Sequence, residues 1–512
     1  MVKRSSGELL FPIVVDRSSP RSITTQVYTA IRQLITSGDL PAGKRLPSSR
    51  TLARELDISR TTTMAVFERL HSEGLIESRT GSGTYVSGQA EASRPGRVPA
   101  VQTAKPVSAK LADIIAEASP RFFQRLAHPQ RPRAFVTGLP DYDAFPLALW
   151  ARLTAKHWRE PRDHILGYPD ANGHPRLRRA IAEHLRANRG LPCDAGQIFV
   201  VNGAQQAFDL IGRVLLNPGD PVWFEDPGAI GARNSLIACG ARMVPVPVDA
   251  EGIMVREGLR LAADFRLAFV TPSHQHPTGA EMSLARRREL LAAANQAGAW
   301  IIEDDYDGEF RYDGRPLPTL KSNDTGERVI YVGTFSKTMF PALRLGFYIV
   351  PAPLVPVFHR ISGAFLQGVP SSIQAVLAAF IEEGHFVTHL RRMREIYAAR
   401  HAAFYDAATR RLRGLLRVPR SVAGFHVTGA FASPAIDEDR VTADAEAAAL
   451  VVSPVSRFII ERGRAEPGLV LGVSAINERE IAKGVETLAG VIEASFSRPQ
   501  RPNRPASDCR PG

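Results

Sequence analysis

The chain has 512 residues, of which 44% are hydrophobic and 23% are charged, with a formal net charge of +12. Single hydrophobic cores stop growing at roughly 250–300 residues, so this length predicts two or three domains. The composition is typical of ordinary globular domains, and no uninterrupted apolar run of about 18 residues could span a bilayer. The N-terminal stretch MVKRSSGELLFPIVVDR has a brief apolar run and no small-residue cleavage pattern, so we expect a cytoplasmic protein without a membrane segment.

The positive charge is concentrated in the first quarter of the chain. Residues 1–90 contain twelve Lys and Arg against eight Asp and Glu, and residues 91–134 contain eight against three. A basic excess at one end favours a polyanionic partner. General solubility is the alternative explanation of the same charge.

Residues 18–87 have the pattern of a small DNA-binding domain. Val27, Ile31 and Ile35 recur at helical spacing, and the turn GDLPAG ends that run. Two short helical stretches, residues 48–56 and 59–73, follow, and residues 75–79 and 84–86 form a hairpin around the turn TGSG. Three short helices and a two-stranded wing predict a winged helix.

The start of the third predicted helix suits a DNA groove. Ser59 is a favourable N-cap, and the residues after it are placed to contact base edges. Arg can form a fork onto guanine, and Thr offers a hydroxyl to phosphate or a methyl group to thymine. Each arginine taken singly is more often a solvated surface charge. The predicted DNA-binding residues are Ser49, Arg50, Ser59, Arg60, Thr61, Thr62, Arg79 and Gly83.

The remainder of the chain predicts a linker, a large α/β domain and a tail. Residues 88–133 are rich in Pro, Ala, Arg and Ser and predict a linker, and residues 498–512 predict a disordered tail. Between them, residues 134–497 alternate strands and helices. Buried strands are predicted at IFVVNG, PVWFE, ARMVPVPV, LAFVTP, GAWIIEDD, VIYVGTF and LGFYIV. This pattern indicates a mostly parallel sheet covered by helices.

Ligands of such sheets bind at the carboxyl ends of the strands. The residues at those ends are Gly203, Ala204, Gln205, Asp226, Thr271, Pro272, Asp304 and Lys337. Several of them suit pyridoxal phosphate, because a lysine can condense with its aldehyde and a carboxylate can hold its ring nitrogen protonated. GAQQAFDL begins a helix whose free N–H groups suit a phosphate. Ser336 adds a hydroxyl, and Arg344 adds a guanidinium that can donate two hydrogen bonds to the phosphate.

Metal binding is the main alternative at these positions. The acidic cluster of Asp304, Asp305, Asp307 and Glu309 could be a magnesium site or a solvated turn. His274 and His276 in SHQHPTG suggest a metal pair, but no third ligand stands out. The three cysteines are odd in number and widely spaced, which is typical of neither a disulfide framework nor a metal site. We predict no metal site.

Two parts of the chain carry a family resemblance. LPAGKRLPSSRTLARELDISRTTTMAVFERLHSEGLIESRTGSGTYV resembles the GntR-type winged helix-turn-helix along its whole length. From about residue 135 to residue 488 the chain resembles a fold-type I aminotransferase, in ILGYPDANGHPRLRRAIAEHLRANRG, VVNGAQQAFDLIGRVLLNPGDPVWFEDPG, TPSHQHPTG, IIEDDYDGEFRY and GTFSKTMFPALRLG. Together they resemble the MocR/GabR-type regulators. This implies an α+β winged helix-turn-helix, an α/β aminotransferase-like domain that binds pyridoxal phosphate, and a smaller C-terminal α+β subdomain.

The resemblance also implies roles for individual residues. Lys337 would form a Schiff base with the cofactor, Asp304 would pair with its pyridine nitrogen, and Tyr306 would contact its phenolic oxygen. The other implied cofactor-binding residues are Gly203, Ala204, Gln205, Thr334, Ser336, Arg344 and His276. Tyr168 in GYPDANG matches a tyrosine that reaches the phosphate of the neighbouring subunit, which implies a homodimer with heads and bodies exchanged.

Three positions depart from the aminotransferase pattern. Ala229 stands where the family has a tyrosine that stacks on the cofactor ring, and His276 replaces an asparagine-type donor. Val470 stands where aminotransferases present an arginine that clamps the substrate carboxylate. The stack and the carboxylate handle are therefore expected to be missing.

These observations predict a transcriptional regulator that binds an operator with two half-sites. We expect pyridoxal phosphate, with or without an amine or amino-acid effector, to set its DNA binding. An active aminotransferase with a DNA-binding appendage is the first alternative, and the missing stack and clamp argue against its fast turnover. A regulator that has lost the cofactor and only dimerises is the second.

Overall fold

The computed structural model describes residues 13–79, 81–88, 132–161, 166–313, 318–434, 436–461, 463 and 465–496. The chain divides into two compact units, Met1–Lys110 and Leu111–Gly512, called here the N-terminal and C-terminal units. The predicted tail and nearly all of the predicted linker lie outside the described residues. No helix among the described residues is both long and apolar enough to cross a membrane.

The N-terminal unit has the three helices and the hairpin that the sequence predicts. Its elements are α1 (Ile23–Ser37), α2 (Ser49–Glu55), α3 (Arg60–Ser72), β1 (Ile76–Arg79) and β2 (Gly83–Val86). The two strands pair antiparallel, with Ile76 opposite Val86. The apolar positions of the helices meet in one core that contains Val27, Ile31, Val66 and Leu70, each at most 1% exposed. The core of the N-terminal unit is therefore formed by the apolar residues that recur at helical spacing in its sequence.

The C-terminal unit alternates helices and strands. Its helices are α4 (Leu147–His157), α5 (Pro175–Arg189), α6 (Ala204–Leu215), α7 (Ile230–Ala238), α8 (Val255–Leu261), α9 (Leu284–Ala297), α10 (Phe335–Thr338), α11 (Val355–Phe365), α12 (Ser371–Glu382), α13 (His385–Arg411), α14 (Glu438–Ala447) and α15 (Glu478–Phe496). Its strands are β3 (Ile198–Val201), β4 (Pro221–Asp226), β5 (Arg242–Asp249), β6 (Gly252–Ile253), β7 (Leu267–Val270), β8 (Trp300–Asp305), β9 (Val329–Thr334), β10 (Gly346–Ile349), β11 (Leu416–Arg417), β12 (His426–Phe431), β13 (Ser453–Pro454) and β14 (Gly468–Gly472).

Eight of these strands form one sheet in the order β3-β10-β9-β8-β7-β4-β5-β6. The run from β9 to β5 is parallel, whereas β10 is antiparallel to both of its neighbours and β6 is antiparallel to β5. All seven strands predicted from apolar runs belong to this sheet. The prediction of a mostly parallel sheet is confirmed.

Helices cover both faces of the large sheet. Alternate residues of a strand point to opposite faces, so Phe199 and Val201 pack into one core with α6 and α7, while Ile198 and Val200 pack into another with α5 and α12. Burial on both faces explains why these strands read as continuous apolar runs. A second, antiparallel sheet of four strands, β11-β12-β14-β13, packs on α15 and forms the smaller C-terminal part.

The core of the N-terminal unit predicts unequal effects of two substitutions in α3. Leu70 is 0% exposed and Met64 is 53% exposed. Leu70→Ala should lower the free energy of unfolding of this unit by about 2–5 kcal/mol, because it leaves a cavity in the core. Met64→Ala, the matched control, should change it by no more than about 0.5 kcal/mol. Hydrogen exchange of the helical amides in the full chain measures both, and equal effects would contradict the assignment of this core.

Candidate functional site

The first turn of α3 is organised by its N-cap. The Ser59 hydroxyl accepts a hydrogen bond from the Thr62 amide at 3.1 Å and lies 2.8 Å from the Thr62 hydroxyl. Thr61 Oγ1 accepts a longer bond from Ser59 at 3.4 Å. The prediction that Ser59 caps the helix is correct. The Ser59 side chain also contacts the two threonine hydroxyls that were predicted to bind DNA.

A residue that the sequence interpretation missed joins the starts of α2 and α3. Thr63 is 0% exposed, and its hydroxyl lies 3.0 Å from the Ser49 carbonyl oxygen and 2.9 Å from that of Arg60. This contact ties together the starts of the two helices. Arg50 and Arg60 are both exposed, and neither guanidinium has an ion-pair partner among the described residues.

The wing uses one of its predicted DNA-binding residues internally. Arg79 forms a 2.7 Å ion pair with Glu77, and its guanidinium lies 4.7 Å from the centre of the Tyr85 ring. Gly83 has a φ of +119° and lies so close to Arg45 that an added Cβ would stand 2.9 Å from its Nε. Arg45, which the sequence interpretation missed, is an exposed cation at the wing.

The C-terminal unit has a cavity of about 280 Å³ at the carboxyl ends of its parallel strands. Ten of the predicted cofactor residues line it, namely Gly203, Ala204, Gln205, His276, Asp304, Tyr306, Thr334, Ser336, Lys337 and Arg344. Two other strand-end positions are used elsewhere. Asp226 accepts the amide of Ile460 at 2.7 Å, and the Thr271 hydroxyl donates to Glu225 at 2.6 Å.

Asp304 reaches the cavity from β8, and Lys337 reaches it from the helical turn that follows the neighbouring strand β9. The sequence places Lys337 at the end of a strand, whereas β9 ends at Thr334 and Lys337 lies in the single turn of α10. Its Nζ donates to the Gly138 carbonyl oxygen at 2.6 Å. Asp304 is 7% exposed, and its Oδ1 is buried without a hydrogen-bond partner among the described residues. Burial and the neighbouring Asp305 and Asp307 raise the pKa of Asp304 well above its usual range.

These features fit pyridoxal phosphate. An unpartnered buried carboxyl is the group that a protonated ring nitrogen would satisfy, and a lysine amine stands in the same cavity. At another part of the wall, the twelve-residue helix α6 begins at Ala204 with its first amides free for an anion. The Arg344 guanidinium lies beside the N-cap Gly203 and donates to the Asn202 carbonyl oxygen at 2.8 Å.

Tyr306 belongs to a buried network. Its hydroxyl donates to the His274 carbonyl oxygen and lies 3.0 Å from His274 Nδ1. That nitrogen is 2.9 Å from Asp307 Oδ2. His274, Asp307 and His426 have one ligand atom each within 4.8 Å of the others. This group shares only His274 with the His274–His276 pair considered from the sequence. Each of the three side chains already forms a protein hydrogen bond, and we assign the cluster as a hydrogen-bonded network.

His276 is positioned by a loop that depends on a buried carboxyl. Its amide donates to the Thr271 hydroxyl at 3.0 Å, and Thr271 and Gln275 both donate to Glu225. Burial raises the pKa of Glu225 to about 7, against the opposing effect of those donors. Burial, together with the Lys337 ammonium, lowers the pKa of His276 to about 3, so the imidazole is neutral.

The structure locates the three departures from the aminotransferase pattern. Ala229 lines the cavity and has no ring to stack. Val470 is 0% exposed and packs in β14 against Ile230 and Phe458, so it does not line the cavity. Arg457 does line it, and among the described residues no hydrogen bond or ion pair engages its guanidinium.

Other cavity residues escaped the sequence interpretation. They include Gly138, Phe425, His426, Arg457 and Phe458. All lie on segments far along the chain from the recognised motifs, and only the fold brings them to the site. Tyr168, by contrast, was predicted, but it is 94% exposed and does not line the cavity of its own chain.

Comparison with known proteins identifies the family. Residues 23–86 match the family "Bacterial regulatory proteins, gntR family", and residues 138–456 match "Aminotransferase class I and II". The chain is 39% identical, over 94% of its length and 96% of the relative's, to the "Probable rhizopine catabolism regulatory protein MocR" of Rhizobium meliloti. The chain belongs to the MocR-type regulators of the GntR family. This MocR-type protein is a transcriptional regulator with a DNA-binding head and an aminotransferase-like body.

Further relatives of this MocR-type regulator agree with that assignment. It is 32% identical to the "HTH-type pyridoxine biosynthesis transcriptional regulator PdxR" of Corynebacterium glutamicum, over 77% of the chain and 81% of the relative. The structure of a multiple substrate aminotransferase from Thermococcus profundus superimposes with a TM-score of 0.67 at 27% identity, covering 76% of the regulator and 96% of the enzyme. Aminotransferases of this class depend on pyridoxal phosphate, and the prediction of a fold-type I body is confirmed.

The buried Glu225 of the MocR-type regulator predicts a pH-dependent stability. Its folded pKa of about 7 lies above the ordinary value of 4.5, so the folded state binds more protons between those values and loses stability as pH rises through them. Glu225→Gln imitates the protonated acid. In this variant, the unfolding free energy should decrease less between about pH 5 and about pH 8 than it does in the wild type, by roughly 1–3 kcal/mol.

Urea denaturation at the two pH values measures this difference. Glu303 has a pKa similarly raised to about 7, so a remaining slope is expected in the variant. Parallel curves for wild type and Glu225→Gln would contradict the raised pKa.

Proposed function

We propose that this regulator binds pyridoxal phosphate through Lys337 and that the state of this site controls operator binding by a homodimer. The observation that carries the proposal is the buried Asp304 carboxyl, whose Oδ1 has no hydrogen-bond partner among the described residues, in the same cavity as Lys337 and the N-terminus of α6. When bound, the cofactor supplies an aldehyde that captures amines and a ring that withdraws electrons. The aldehyde, the ring nitrogen and the phosphate of the cofactor each have a matching group in this chain.

The roles of the residues follow from their chemistry. Lys337 provides the amine for covalent attachment, and Asp304 holds the proton of the ring nitrogen. The α6 amides, with Thr334, Ser336 and Arg344, hold the phosphate by helix dipole and charge-assisted hydrogen bonds. The neutral His276 lines the cavity without adding charge.

The effector we propose is a small amine or amino acid that enters beside Ala229. Ala229 leaves space where a stacking ring would stand, and Val470 offers no carboxylate clamp. Arg457 and Phe458 line the cavity instead. The effector acts only if it binds one DNA-competent arrangement better than another, because coupling needs differential affinity.

We propose that the DNA is an operator with two half-sites, one for each protomer, in the cytoplasm. Arg50 and Arg60 would reach base edges from the starts of α2 and α3. The 94% exposure of Tyr168 supports its predicted role at the phosphate of the partner subunit, and hence a dimer.

An active aminotransferase is the second candidate. Its support is the ten predicted cofactor residues around one cavity and the fold shared with aminotransferases. The buried Val470 and the missing ring at Ala229 favour the regulatory role, because turnover would lack two interactions that hold substrate and cofactor.

The cofactor proposal predicts a spectroscopic result for Lys337→Ala. The wild type incubated with pyridoxal phosphate should gain a visible absorbance band that survives dialysis, because the cofactor is attached covalently. Lys337→Ala should lose the band, whereas Cys239→Ser, a substitution outside the cavity lining, should keep it. A colourless wild type saturated with cofactor would reject the proposal.

The DNA proposal predicts that Arg60→Ala weakens operator binding and relaxes base preference at one position. The expected loss is about 1–3 kcal/mol, the value of one good bidentate contact to a base. Gel-shift titration against the operator and single-base variants measures it. Arg417→Ala in the C-terminal unit, also at an exposed arginine, is the control and should not change binding. Equal affinities of the wild type and Arg60→Ala for the operator would show that Arg60 is not part of the DNA interface.

A further inference from the structure

The Tyr306 hydroxyl is held by a residue pair that no motif assigns to the cofactor site. It lies on the cavity wall, donates to the His274 carbonyl oxygen at 3.0 Å, and stands 3.0 Å from His274 Nδ1. The same Nδ1 lies 2.9 Å from Asp307 Oδ2. His274 and Asp307 are each 2% exposed, so water does not compete for these contacts.

The network fixes the proton of the imidazole. A carboxylate oxygen only accepts, so the short contact to Asp307 places a proton on His274 Nδ1. That N–H faces Tyr306 as well, since the Tyr306 hydroxyl oxygen and Asp307 Oδ2 both lie within 3.0 Å of Nδ1. The other ring nitrogen, Nε2, is buried and has no hydrogen-bond partner in the part of the chain that the structure describes, so Nδ1 is the nitrogen that forms the hydrogen bonds.

The backbone packs tightly over the pair. Gly424 has a φ of +85°, and a Cβ added there would lie 2.1 Å from His274 Cε1 and 2.8 Å from Asp307 Oδ2. The Gly424 carbonyl oxygen is itself held by the Tyr312 hydroxyl at 2.6 Å and by His401 Nε2 at 3.0 Å. The imidazole therefore cannot turn away from Tyr306 without moving this loop.

We propose that His274, held by Asp307, is a positioning residue that strengthens Tyr306 as a hydrogen-bond donor to the cofactor and so sets the pH at which the bound cofactor ionises. The inference rests on the proposed function and on the family resemblance, which implies that Tyr306 contacts the phenolic oxygen. A hydroxyl has one hydrogen to donate, so the Tyr306 O–H would turn from the His274 carbonyl oxygen to the phenolic oxygen when the cofactor binds. An N–H donated to the Tyr306 oxygen polarises its O–H, which then donates more strongly.

The sign of the effect follows from the ionised form. A donor at the phenolic oxygen stabilises its negative charge, so it lowers the pH of ionisation. Other charged and titratable groups also affect the ionisation of the phenolic oxygen. Those around Tyr306 are Asp304, Asp307, Glu225, His274, His276 and Lys337, and His426 stands beside His274. A matched pair of variants is needed to isolate the single N–H.

His274→Asn and His274→Leu form that pair. The two replacement side chains have nearly the same shape, but only the amide of asparagine places an N–H where Nδ1 stands, and Asp307 orients that amide by accepting from it. We expect the pH midpoint of the visible absorbance change to rise by roughly a few tenths of a unit in His274→Leu, because polarisation strengthens a hydrogen bond by only about 10–30%. His274→Asn should stay close to the wild type.

The measurement is a pH titration of the absorbance of the full-length protein loaded with pyridoxal phosphate. Equal midpoints in His274→Leu and wild type, or equal shifts in the two variants, would overturn the inference. If His274→Leu does not fold, His274→Gln takes its place, because its longer amide carries the N–H away from the Nδ1 position. A wild type without an absorbance band would instead reject the proposed function.

A double-variant experiment separates this role from a purely structural one. In a Tyr306→Phe background no hydroxyl remains for His274 to polarise, so adding His274→Leu should not move the midpoint further. Additive shifts in the double variant would mean that His274 acts without Tyr306, and the inference would fall.

Discussion

The burial of the Asp304 carboxyl is the constraint on which the C-terminal site depends. One of its oxygens has no hydrogen-bond partner among the described residues, and two further aspartates, Asp305 and Asp307, stand nearby. A buried polar group without a partner costs free energy, and such groups persist where a ligand satisfies them. The parallel pairing of β8 with β9 brings Lys337 to the same edge of the sheet. Sheet topology thus places a carboxyl and an amine, on separate segments, in one cavity.

Much of this arrangement could be predicted from sequence because burial on both faces makes the strands visible as apolar runs. Their carboxyl ends then identify Asp304 and the residues before α6. The rest depends on contacts between distant segments: Lys337 meets Gly138 across 199 residues, and His426 meets Pro277 across 149. No periodicity or local motif encodes such contacts. The assignment of Lys337 to a strand end failed for a local reason, since Thr334 caps a helical turn there.

The proposed DNA-binding surface also depends on both local contacts and contacts between separate helices. The Ser59 cap is local and was predicted, but the cap also engages the hydroxyls of Thr61 and Thr62. The buried Thr63 joins α2 to α3 and so sets where Arg50 stands relative to Arg60. Hydroxyls used in the cap are less available to phosphates, so the two exposed arginines are the stronger candidates among the proposed base contacts.

The departures from the aminotransferase pattern separate holding a cofactor from turning over a substrate. An enzyme gains rate only from interactions that are stronger in the transition state than in the ground state, and these require a substrate fixed at several points. A regulator needs only an effector that distinguishes two arrangements of the protein. The buried Val470 removes one such point and Ala229 another, while the groups suited to the cofactor remain around the cavity. The site has the groups that the proposed anchoring of the cofactor requires, and it lacks two groups that would fix a substrate.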